Sequence, residues 1–360
     1  MSRILFLANH DMVIYNLRLE LVERLIKEGH EIIICCPKGK RVQELIALGC
    51  KYRDVNIDRH GTNPFRDIKL IRVYKKLLDS EKPDCVFSYT IKPNIYGSLA
   101  CKSRKIPCVV NVTGLGTAVE NKGIMQRIAV TLYKIAFKKV QTIFFQNEEN
   151  MSFFVRKRIY PEKHKLLPGS GVNLQKFMPL EYPQGETVRF AFISRIMKEK
   201  GINQYLEAAE NIKPQYPNTE FHVCGFCEQD YEERLKELQD KGVIKYHGNI
   251  NDVAKFLKDI NCVVHPTYYP EGMSNILLES CACARPIITT DRAGCREIVD
   301  DGINGYVVKQ KDSLDLIDKI EKFLSLSYEE QKNMGLAGRK KVEEKFNREI
   351  VIEKYLEELR

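Results

Sequence analysis

The sequence predicts an α/β protein of two doubly wound, Rossmann-like domains, each built on a parallel sheet. Short apolar runs alternate with amphipathic stretches of ten or more residues, which is the pattern of buried parallel strands separated by helices. That alternation stops in 166–187, where three prolines and three glycines fall within 22 residues, and it resumes at 188. A chain of 360 residues also exceeds the usual size of a single core. Two domains are therefore expected.

The elements of each half follow from these runs. In the first half, we predict strands over 4–8, 31–36, 84–88, 107–112 and 142–146, and helices over 16–28, 40–49, 94–104 and 124–139. In the second half, we predict strands over 188–193, 219–224, 243–246, 262–265 and 286–290, and helices over 202–213, 229–240, 251–259 and 274–283. The carboxyl ends of such strands are where ligands bind in open α/β sheets, and here they are expected to face a cleft between the domains.

Domain boundaries follow from the same pattern. We predict a first domain over 1–168, a linker over 169–183 and a second domain over 184–340. A closing helix over 341–360 ends the chain and can pack back on the first domain; the helical pattern itself spans 327–358.

The positive charge is concentrated in the first half. Before Pro183 there are 31 Lys and Arg against 17 Asp and Glu, a net charge of +14; the remainder has 26 against 31, a net charge of −5. A basic half favours a polyanionic partner, although a solvated basic face gives the same count. Because no nucleic-acid motif or aromatic interleaving accompanies the charge, we expect an anionic membrane surface or a phosphorylated substrate, and no nucleic acid.

Cysteines and apolar runs bear on the cellular compartment. The twelve Cys lie singly or as neighbours, often in apolar runs, which is typical of reduced, buried thiols. Cys224-Gly-Phe-Cys227 has redox spacing, but it ends a strand and no second CxxC completes a zinc site, so a structural role is favoured. The apolar runs are of strand length and the first residues enter a strand pattern directly. We expect a cytoplasmic protein, bound peripherally to the inner face of the cell membrane.

The stretch PEGMSNILLE, residues 270–279, is a strand-to-helix loop that carries two acids, Glu271 and Glu279. Unsatisfied N–H groups and the dipole at the start of a helix favour a diphosphate there, which Gly272 would let approach closely. Ser274 or Asn275 would cap the helix, with Met273 in the same loop. The two acids would accept hydrogen bonds from sugar hydroxyls on either side of the diphosphate, rather than form ion pairs. Two solvated glutamates at a helix start remain the alternative.

Positive charge comes from a second strand-to-helix loop, SRIMKEKG at 194–201. Arg195 and Lys200 lie in this loop, which opens a helix at Gly201. The sequence contains no Asp-x-Asp to hold a divalent metal. These two cations would therefore neutralise a leaving nucleoside diphosphate without a metal or other cofactor.

In order and spacing, SRIMKEKG and EGMSNILLE resemble the signature of family 4 glycosyltransferases of the GT-B fold, which are retaining enzymes that need no metal. Segments 171–177 and 293–308 are similar to further parts of that family. The resemblance implies that Arg195, Lys200 and Glu271 carry the catalysis. It also implies that Gly272, Met273, Ser274, Asn275 and Glu279 bind a nucleotide-sugar donor, with Glu279 on the ribose.

The first half, with YTIKPNIYGSLACK and VVNVTGLGTAVE, resembles bacterial members that build capsular, exopolysaccharide or polyprenyl-diphosphate-linked glycans, including N-acetylgalactosaminyltransferases. We expect its strand-end loops to bind the acceptor or its diphosphate. The candidate residues are His10, Asn16, Arg18, Thr113 and Gly114, with Asn16 and Arg18 opening the helix after His10. His265 beside the Glu271 loop fits a core position equally well. Gly114-Leu-Gly116 fails GxGxxG because residue 119 is Val.

These observations predict a retaining transfer of a hexose or N-acetylhexosamine from a UDP-sugar to a lipid-linked acceptor. Two other functions fit the same architecture. A UDP-sugar 2-epimerase would form a new epimer without any acceptor, and a non-catalytic scaffold subunit would not bind UDP.

Overall fold

The computed structural model describes residues 1–57, 64–115, 119 and 123–360. It divides into two compact units, the first formed by Met1–Ser170 with Glu349–Arg360 and the second by Gly171–Arg348. Each unit contains one parallel sheet with helices, which confirms the predicted fold class.

The first sheet has seven strands in the order β3-β2-β1-β4-β5-β6-β7. They are β1 (Arg3–Leu7), β2 (Glu31–Cys36), β3 (Lys51–Asp54), β4 (Cys85–Tyr89), β5 (Cys108–Val112), β6 (Thr142–Phe145) and β7 (His164–Leu166). The central strand β1 pairs with β2 on one side and β4 on the other, with Ile4 opposite both Ile32 and Cys85. The strand order therefore reverses between β1 and β4, which is the switch point where doubly wound sheets bind ligands.

Helices of the first unit connect these strands. They are α1 (Asp11–Leu17), α2 (Leu19–Lys27), α3 (Val42–Ala47), α4 (Pro64–Glu81), α5 (Ser98–Arg104), α6 (Ile124–Phe137) and α7 (Glu148–Arg156). A π-helical turn, Pro93–Gly97, runs directly into α5. Local signals set some of the starts, as at α7, where the Asn147 side chain accepts a hydrogen bond from the backbone N–H of Asn150.

The second sheet has six strands in the order β10-β9-β8-β11-β12-β13. They are β8 (Val188–Ile193), β9 (Thr219–Cys224), β10 (Lys245–Tyr246), β11 (Cys262–His265), β12 (Ile287–Thr290) and β13 (Gly305–Val308). Its switch point lies between β8 and β11, where Phe190 is opposite Cys262. Both predicted donor loops, 194–201 and 270–275, follow these two strands.

The remaining helices belong to the second half of the chain. They are α8 (Ile202–Gln215), α9 (Glu232–Asp240), α10 (Val253–Leu257), α11 (Asn275–Ala282), α12 (Ser313–Leu324), α13 (Tyr328–Lys345) and α14 (Arg348–Glu357). A capping box between Ser327 and Glu330 starts α13. The closing segment is thus two helices rather than one continuous pattern, and Glu349–Arg360 is counted with the first unit.

Alternate residues of the central strands enter cores on opposite faces of each sheet. In β1, Leu5 and Leu7 join one cluster, while Ile4 and Phe6 join the other. In β8, Phe190 and Phe192 face one cluster and Ala191 faces the other. This confirms the prediction, made from near-continuous apolar runs, of sheets covered on both faces.

Several elements differ from the prediction for local reasons. The helix predicted over 16–28 is two helices, because the backbone of Arg18 leaves the helical region at φ −137°. Strand β3, with sequence KYRD, was not predicted because it is polar and mostly exposed, so it lacks an apolar run. The strand predicted over 243–246 is reduced to the two residues of β10.

Candidate functional site

Two loops meet at the switch point of the second sheet. Loop 194–201 follows β8, and loop 266–274 follows its parallel neighbour β11. The Tyr268 N–H donates to the Glu199 carbonyl oxygen at 2.9 Å, and the Thr267 hydroxyl donates to the same oxygen at 3.3 Å. The two predicted loops are therefore joined directly by hydrogen bonds.

Gly201 allows this close approach. Its φ of +80° is in the left-handed region, and a Cβ at this position would lie 2.1 Å from the Pro266 carbonyl oxygen. Gly201 also precedes the first residue of α8, as predicted. Only glycine satisfies both the backbone conformation and the contact.

Lys200 and Glu271 form an ion pair across the two loops. The Lys200 ammonium donates a hydrogen bond to the Glu271 carboxylate, and the side chains are only 9% and 15% exposed. Burial alone would raise the pKa of Glu271, but the Lys200 ammonium and the nearby His265 lower it to about 2. Glu271 is therefore ionised and paired, and the hypothesis that the acids of 270–279 form no ion pairs is wrong for this residue.

His265 lies beneath this pair, at the end of β11. Its Nε2 is 3.7 Å from Oε1 of Glu271, and the residue is 2% exposed. Burial lowers the pKa of His265, although the Glu271 carboxylate opposes that shift. A neutral imidazole packed against the carboxylate is thus buried in the core and also adjacent to the site.

Arg195 lies near Lys200, because both cations contact the ring of Tyr269. The ring centroid of Tyr269 is 5.3 Å from the Arg195 guanidinium carbon and 4.9 Å from the Lys200 Nζ atom, so one ring contacts both cations. Arg195 also donates to Glu228 at 2.5 Å, in a pair whose side chains are more than a third exposed. Sequence reasoning missed Tyr269 and Glu228, because neither lies in the quoted motifs.

Residues 272–275 lead into helix α11. Gly272, Met273 and Ser274 are buried, and the Ser274 N–H donates to the Gly294 carbonyl oxygen at 2.8 Å. Ser274 occupies the N-cap position as predicted, yet its side chain makes no capping hydrogen bond; Asn275 is already the first helical residue. The Ser274 hydroxyl therefore does not compete with an external anion for the first N–H groups of the helix.

A third loop, after β12, packs against residues 271–274. Gly294 has φ +87°, and a Cβ there would lie 2.8 Å from the Gly272 carbonyl oxygen and 3.1 Å from Cβ of Glu271. The Gly294 N–H donates to the Glu297 carboxylate at 2.7 Å. Backbone packing against Gly294 thus fixes the position of Glu271 and Gly272, a role that the sequence suggested only through the resemblance of 293–308.

Glu279 has a different environment from Glu271. It is the fifth residue of α11, and burial raises its pKa to about 7, opposed by the charges of Lys176 and Arg348. Within the residues that the structure describes, no side chain forms a hydrogen bond or ion pair with its carboxylate. Lys176 and Arg348 belong to two chain segments that are joined by backbone hydrogen bonds. The Val172 N–H donates to the Phe346 carbonyl oxygen, and the Arg348 N–H donates to the Val172 carbonyl oxygen.

Three of the candidate residues of the first unit, His10, Thr113 and Gly114, lie in loops that follow two of its strands. His10 follows β1 and caps α1, with its Nδ1 accepting from the Met12 N–H at 3.1 Å. Asn16 is exposed in the last turn of α1 and so does not open a helix, which corrects the prediction. Thr113 and Gly114 follow β5 and are half-buried. Gly116 lies outside the described residues. Ligand contacts of these residues stay predictions.

Arg18 lies in the core rather than on a surface loop. It separates α1 from α2 and is 2% exposed. Its guanidinium carbon is 5.1 Å from the ring centroid of Tyr89 and 5.7 Å from that of Tyr355. In this position Arg18 packs between two tyrosines, an environment that the sequence did not indicate.

The remaining motif, Cys224 to Cys227, shows no redox or metal geometry. All twelve cysteines are free, and burial raises the pKa of both residues of the motif, opposite to the shift of a reactive thiol. In the described ranges, no group of three or more His, Cys, Asp or Glu is placed to hold a metal ion. Over the same ranges, no helix is long and apolar enough to span a bilayer.

Two family models match the chain, one in its first half and one in its second half. Residues 3–147 match "Glycosyl transferase 4-like", and residues 181–341 match "Glycosyl transferases group 1". Together they cover most of the chain, which belongs to these group 1, family 4-like glycosyltransferases. The predicted family is thereby confirmed.

Among curated proteins, the chain is similar to a Campylobacter jejuni enzyme, N,N'-diacetylbacillosaminyl-diphospho-undecaprenol alpha-1,3-N-acetylgalactosaminyltransferase. The two are 27% identical over 98% of this chain and 97% of that enzyme. This chain is also 26% identical to the capsular polysaccharide biosynthesis glycosyltransferase CapM of Staphylococcus aureus, over 92% of this chain and 90% of CapM. An Escherichia coli enzyme, UDP-Gal:alpha-D-GlcNAc-diphosphoundecaprenol alpha-1,3-galactosyltransferase, is 26% identical over 82% and 80%.

Solved structures agree on the fold. A glycosyltransferase from Rickettsia africae superposes with a TM-score of 0.84 at 19% identity, covering 99% of this chain and 97% of that one. Anabaena HepE in complex with UDP-glucose superposes with a TM-score of 0.79 at 14% identity, covering 100% and 99%. At these identities the likeness establishes the GT-B fold.

Proposed function

We propose that this chain is a retaining glycosyltransferase that moves a hexose or N-acetylhexosamine from a UDP-sugar to a polyprenyl-diphosphate-linked acceptor. One observation carries the proposal. Two cations, Arg195 and Lys200, and the start of helix α11 meet at the switch point of the second sheet, held by glycines that admit no side chain. This is the arrangement that a diphosphate leaving group requires.

On binding, oxygen atoms of the donor would replace some of the present partners of the site residues. Arg195 is paired with Glu228 in a partly exposed ion pair, which contributes little to stability and so can be given up to a phosphate. Lys200 stays close to Glu271, which would accept hydrogen bonds from the donor sugar. Glu279, whose carboxylate the described side chains leave unbonded, would accept from the ribose. The HepE complexes with UDP and UDP-glucose, and the UDP-Gal named for the E. coli enzyme, support a UDP donor.

Bond cleavage would proceed through fixed positive charge. As the sugar–oxygen bond to UDP breaks, negative charge grows on the departing diphosphate, and Arg195, Lys200 and the N–H groups of α11 stabilise it. The acceptor hydroxyl then attacks the oxocarbenium-like sugar on the same face and gives its proton to the leaving phosphate. This sequence requires neither a divalent metal nor a separate general base.

Acceptor binding would fall to the first unit, through His10, Asn16, Thr113 and Gly114. The names of the C. jejuni and E. coli relatives, both of which act on diphospho-undecaprenol glycans, support a lipid-linked acceptor. The net charge of +14 before Pro183 supports peripheral binding to an anionic, cytoplasmic membrane face.

A screen of UDP-sugars against polyprenyl-diphosphate-linked glycans, followed by mass spectrometry, tests the activity. We expect one donor to extend one acceptor by a single sugar, with the anomeric configuration of the donor retained by NMR. An inverted product would overturn the mechanism. A new epimer formed from UDP-sugar alone would identify a 2-epimerase, and a chain that does not bind UDP would be a scaffold.

A further inference from the structure

Helix α6 of the first unit has an apolar face that the described residues leave uncovered. Its opposite face is buried in the core through Tyr133, Ala136 and Phe137. The exposed fractions are 76% for Ile124, 48% for Ile128 and 49% for Ile135, with Met125 at 51%. At 3.6 residues per turn, the three isoleucines fall within about 40° of one another around the helix. They form one stripe, here called the isoleucine stripe.

A row of cations runs beside the isoleucine stripe. Arg127 and Lys134 of α6 and Lys138 just after it are exposed, and they cluster within about 40° around the helix, next to the stripe. Across the described ranges, none of the three side chains forms an ion pair. The charge of α6 is therefore available to an external anion.

We infer that α6 docks on an anionic lipid bilayer, in the plane of its surface. Isoleucines would enter the boundary between headgroups and acyl chains, while the three cations contact lipid phosphates. At 14 residues, α6 is too short to span the hydrocarbon core, which needs about 20. The inference deepens the proposed function, since it rests on a membrane-linked acceptor and assigns the membrane contact to one helix.

Apolar side chains alone would also suit a second copy of this chain, but the charges favour lipid. A surface that meets its own copy would bring Arg127, Lys134 and Lys138 close to the same cations of the partner, and like charges oppose such pairing. Anionic phosphates satisfy the same cations. Charge complementarity thus selects the bilayer.

Vesicle co-sedimentation tests the inference. The full chain should bind vesicles of phosphatidylglycerol and phosphatidylcholine more tightly than vesicles of phosphatidylcholine alone. The triple variant Ile124→Gln, Ile128→Gln, Ile135→Gln should bind at least about tenfold more weakly, because the inserted apolar area is lost. A matched variant of the second unit, Ile303→Gln with Leu314→Gln, removes side chains that are 63% and 78% exposed and should bind as wild type.

A charge variant sharpens the assignment. Arg127→Gln, Lys134→Gln and Lys138→Gln together should weaken binding to anionic vesicles about tenfold or more at low salt, without changing residual binding to neutral ones. Equal binding of the isoleucine variant and wild type, or no binding of wild type, would overturn the inference. So would a wild-type dimer in sedimentation velocity that the isoleucine variant dissociates, since that would assign the face to self-association.

Calorimetry with UDP separates this inference from the proposed function. All of the α6 substitutions lie in the first unit, whereas the proposed UDP site is built from residues of the second, so each variant should bind UDP as wild type does. Loss of UDP binding in every form, with vesicle binding intact, would overturn the glycosyltransfer site and leave the membrane contact in place.

Discussion

The switch points of the two sheets have the same strand order but use charge differently. In the second unit, the side chain of Arg195 is 36% exposed and shares Tyr269 with Lys200, so a ligand can replace its present partner. In the first unit, Arg18 is 2% exposed and packed between Tyr89 and Tyr355. The same backbone arrangement thus supports an exchangeable charge in one sheet and a structural charge in the other.

Hydrogen bonding shows the same contrast. In the first unit, Asn94 donates to the Asn111 carbonyl oxygen at 2.7 Å, and the Asn111 side chain donates to the Tyr355 hydroxyl at 2.8 Å. Both bonds are buried; the first links the π-helical turn to β5, and the second links β5 to helix α14. In the second unit, the loops are joined partly through backbone atoms, as from the Tyr268 N–H to the Glu199 carbonyl oxygen. A buried side-chain network thus joins β5 to helix α14 in the first unit, whereas backbone bonds and the Lys200–Glu271 ion pair join the loops at the second switch point.

The largest effect is expected from replacing Arg195, the partly exposed arginine of the second unit. Arg195→Ala should lower kcat about 100-fold, because it removes one of two cations on the leaving diphosphate. Its partly exposed side chain can be removed with the fold intact, as thermal unfolding should show. Arg234→Ala is a matched control, since Arg234 is also a partly exposed, ion-paired arginine of the second unit, and should keep wild-type turnover. Similar losses in both variants would contradict a specific role for Arg195.

Stability should show a second difference, at the buried pair. Lys200→Met removes the ammonium that pairs with the mostly buried Glu271 carboxylate and should lower the free energy of unfolding by about 3 kcal/mol at pH 7. Adding Glu271→Gln should recover part of that loss, with a coupling of about 2 kcal/mol in urea denaturation. The pKa of Glu271 is lowered to about 2, so the stability from the pair is complete above pH 4.5 and is lost as the pH falls toward 2. Additive single effects would show that the pair is not coupled.

A pH dependence distinguishes the two acids of 270–279. Because burial raises the pKa of Glu279 to about 7, its carboxylate is mostly ionised at pH 8 and mostly protonated at pH 6. Hydroxyl donors of the ribose need the ionised form, so the ratio of wild-type to Glu279→Gln affinity for UDP should fall about tenfold from pH 8 to pH 6. Taking this ratio cancels the titration of UDP itself. A ratio that does not change with pH would exclude Glu279 as the ribose acceptor.

The smallest effect is expected in the first unit. Tyr355→Phe leaves the buried Asn111 amide without its acceptor and should lower the free energy of unfolding by about 1–2 kcal/mol. UDP affinity should not change, since the substitution touches only the polar network of the first unit. A weaker UDP affinity would contradict the division of roles between the two sheets.

The sequence predicted features with local signals, and it did not predict contacts between residues that are far apart in the chain. The strands with continuous apolar runs and the two strand-to-helix loops at 194–201 and 270–275 were predicted because their signals are local, such as Gly201 after a basic loop. The pairing of Lys200 with Glu271, 71 residues apart, is set by strands β8 and β11 lying side by side, and spacing alone does not reveal it. Arg18 was misplaced for the same reason, because Tyr355 reaches it from the far end of the chain.

Binding of UDP, measured by titration calorimetry in EDTA, tests the proposed donor site most directly. We expect wild-type protein and Arg234→Ala to bind UDP equally without divalent metal, and Arg195→Ala to bind at least about tenfold more weakly. Binding that requires added Mg²⁺ or Mn²⁺, or that is as tight in Arg195→Ala as in wild type, would contradict a diphosphate site built from fixed cations and the start of helix α11.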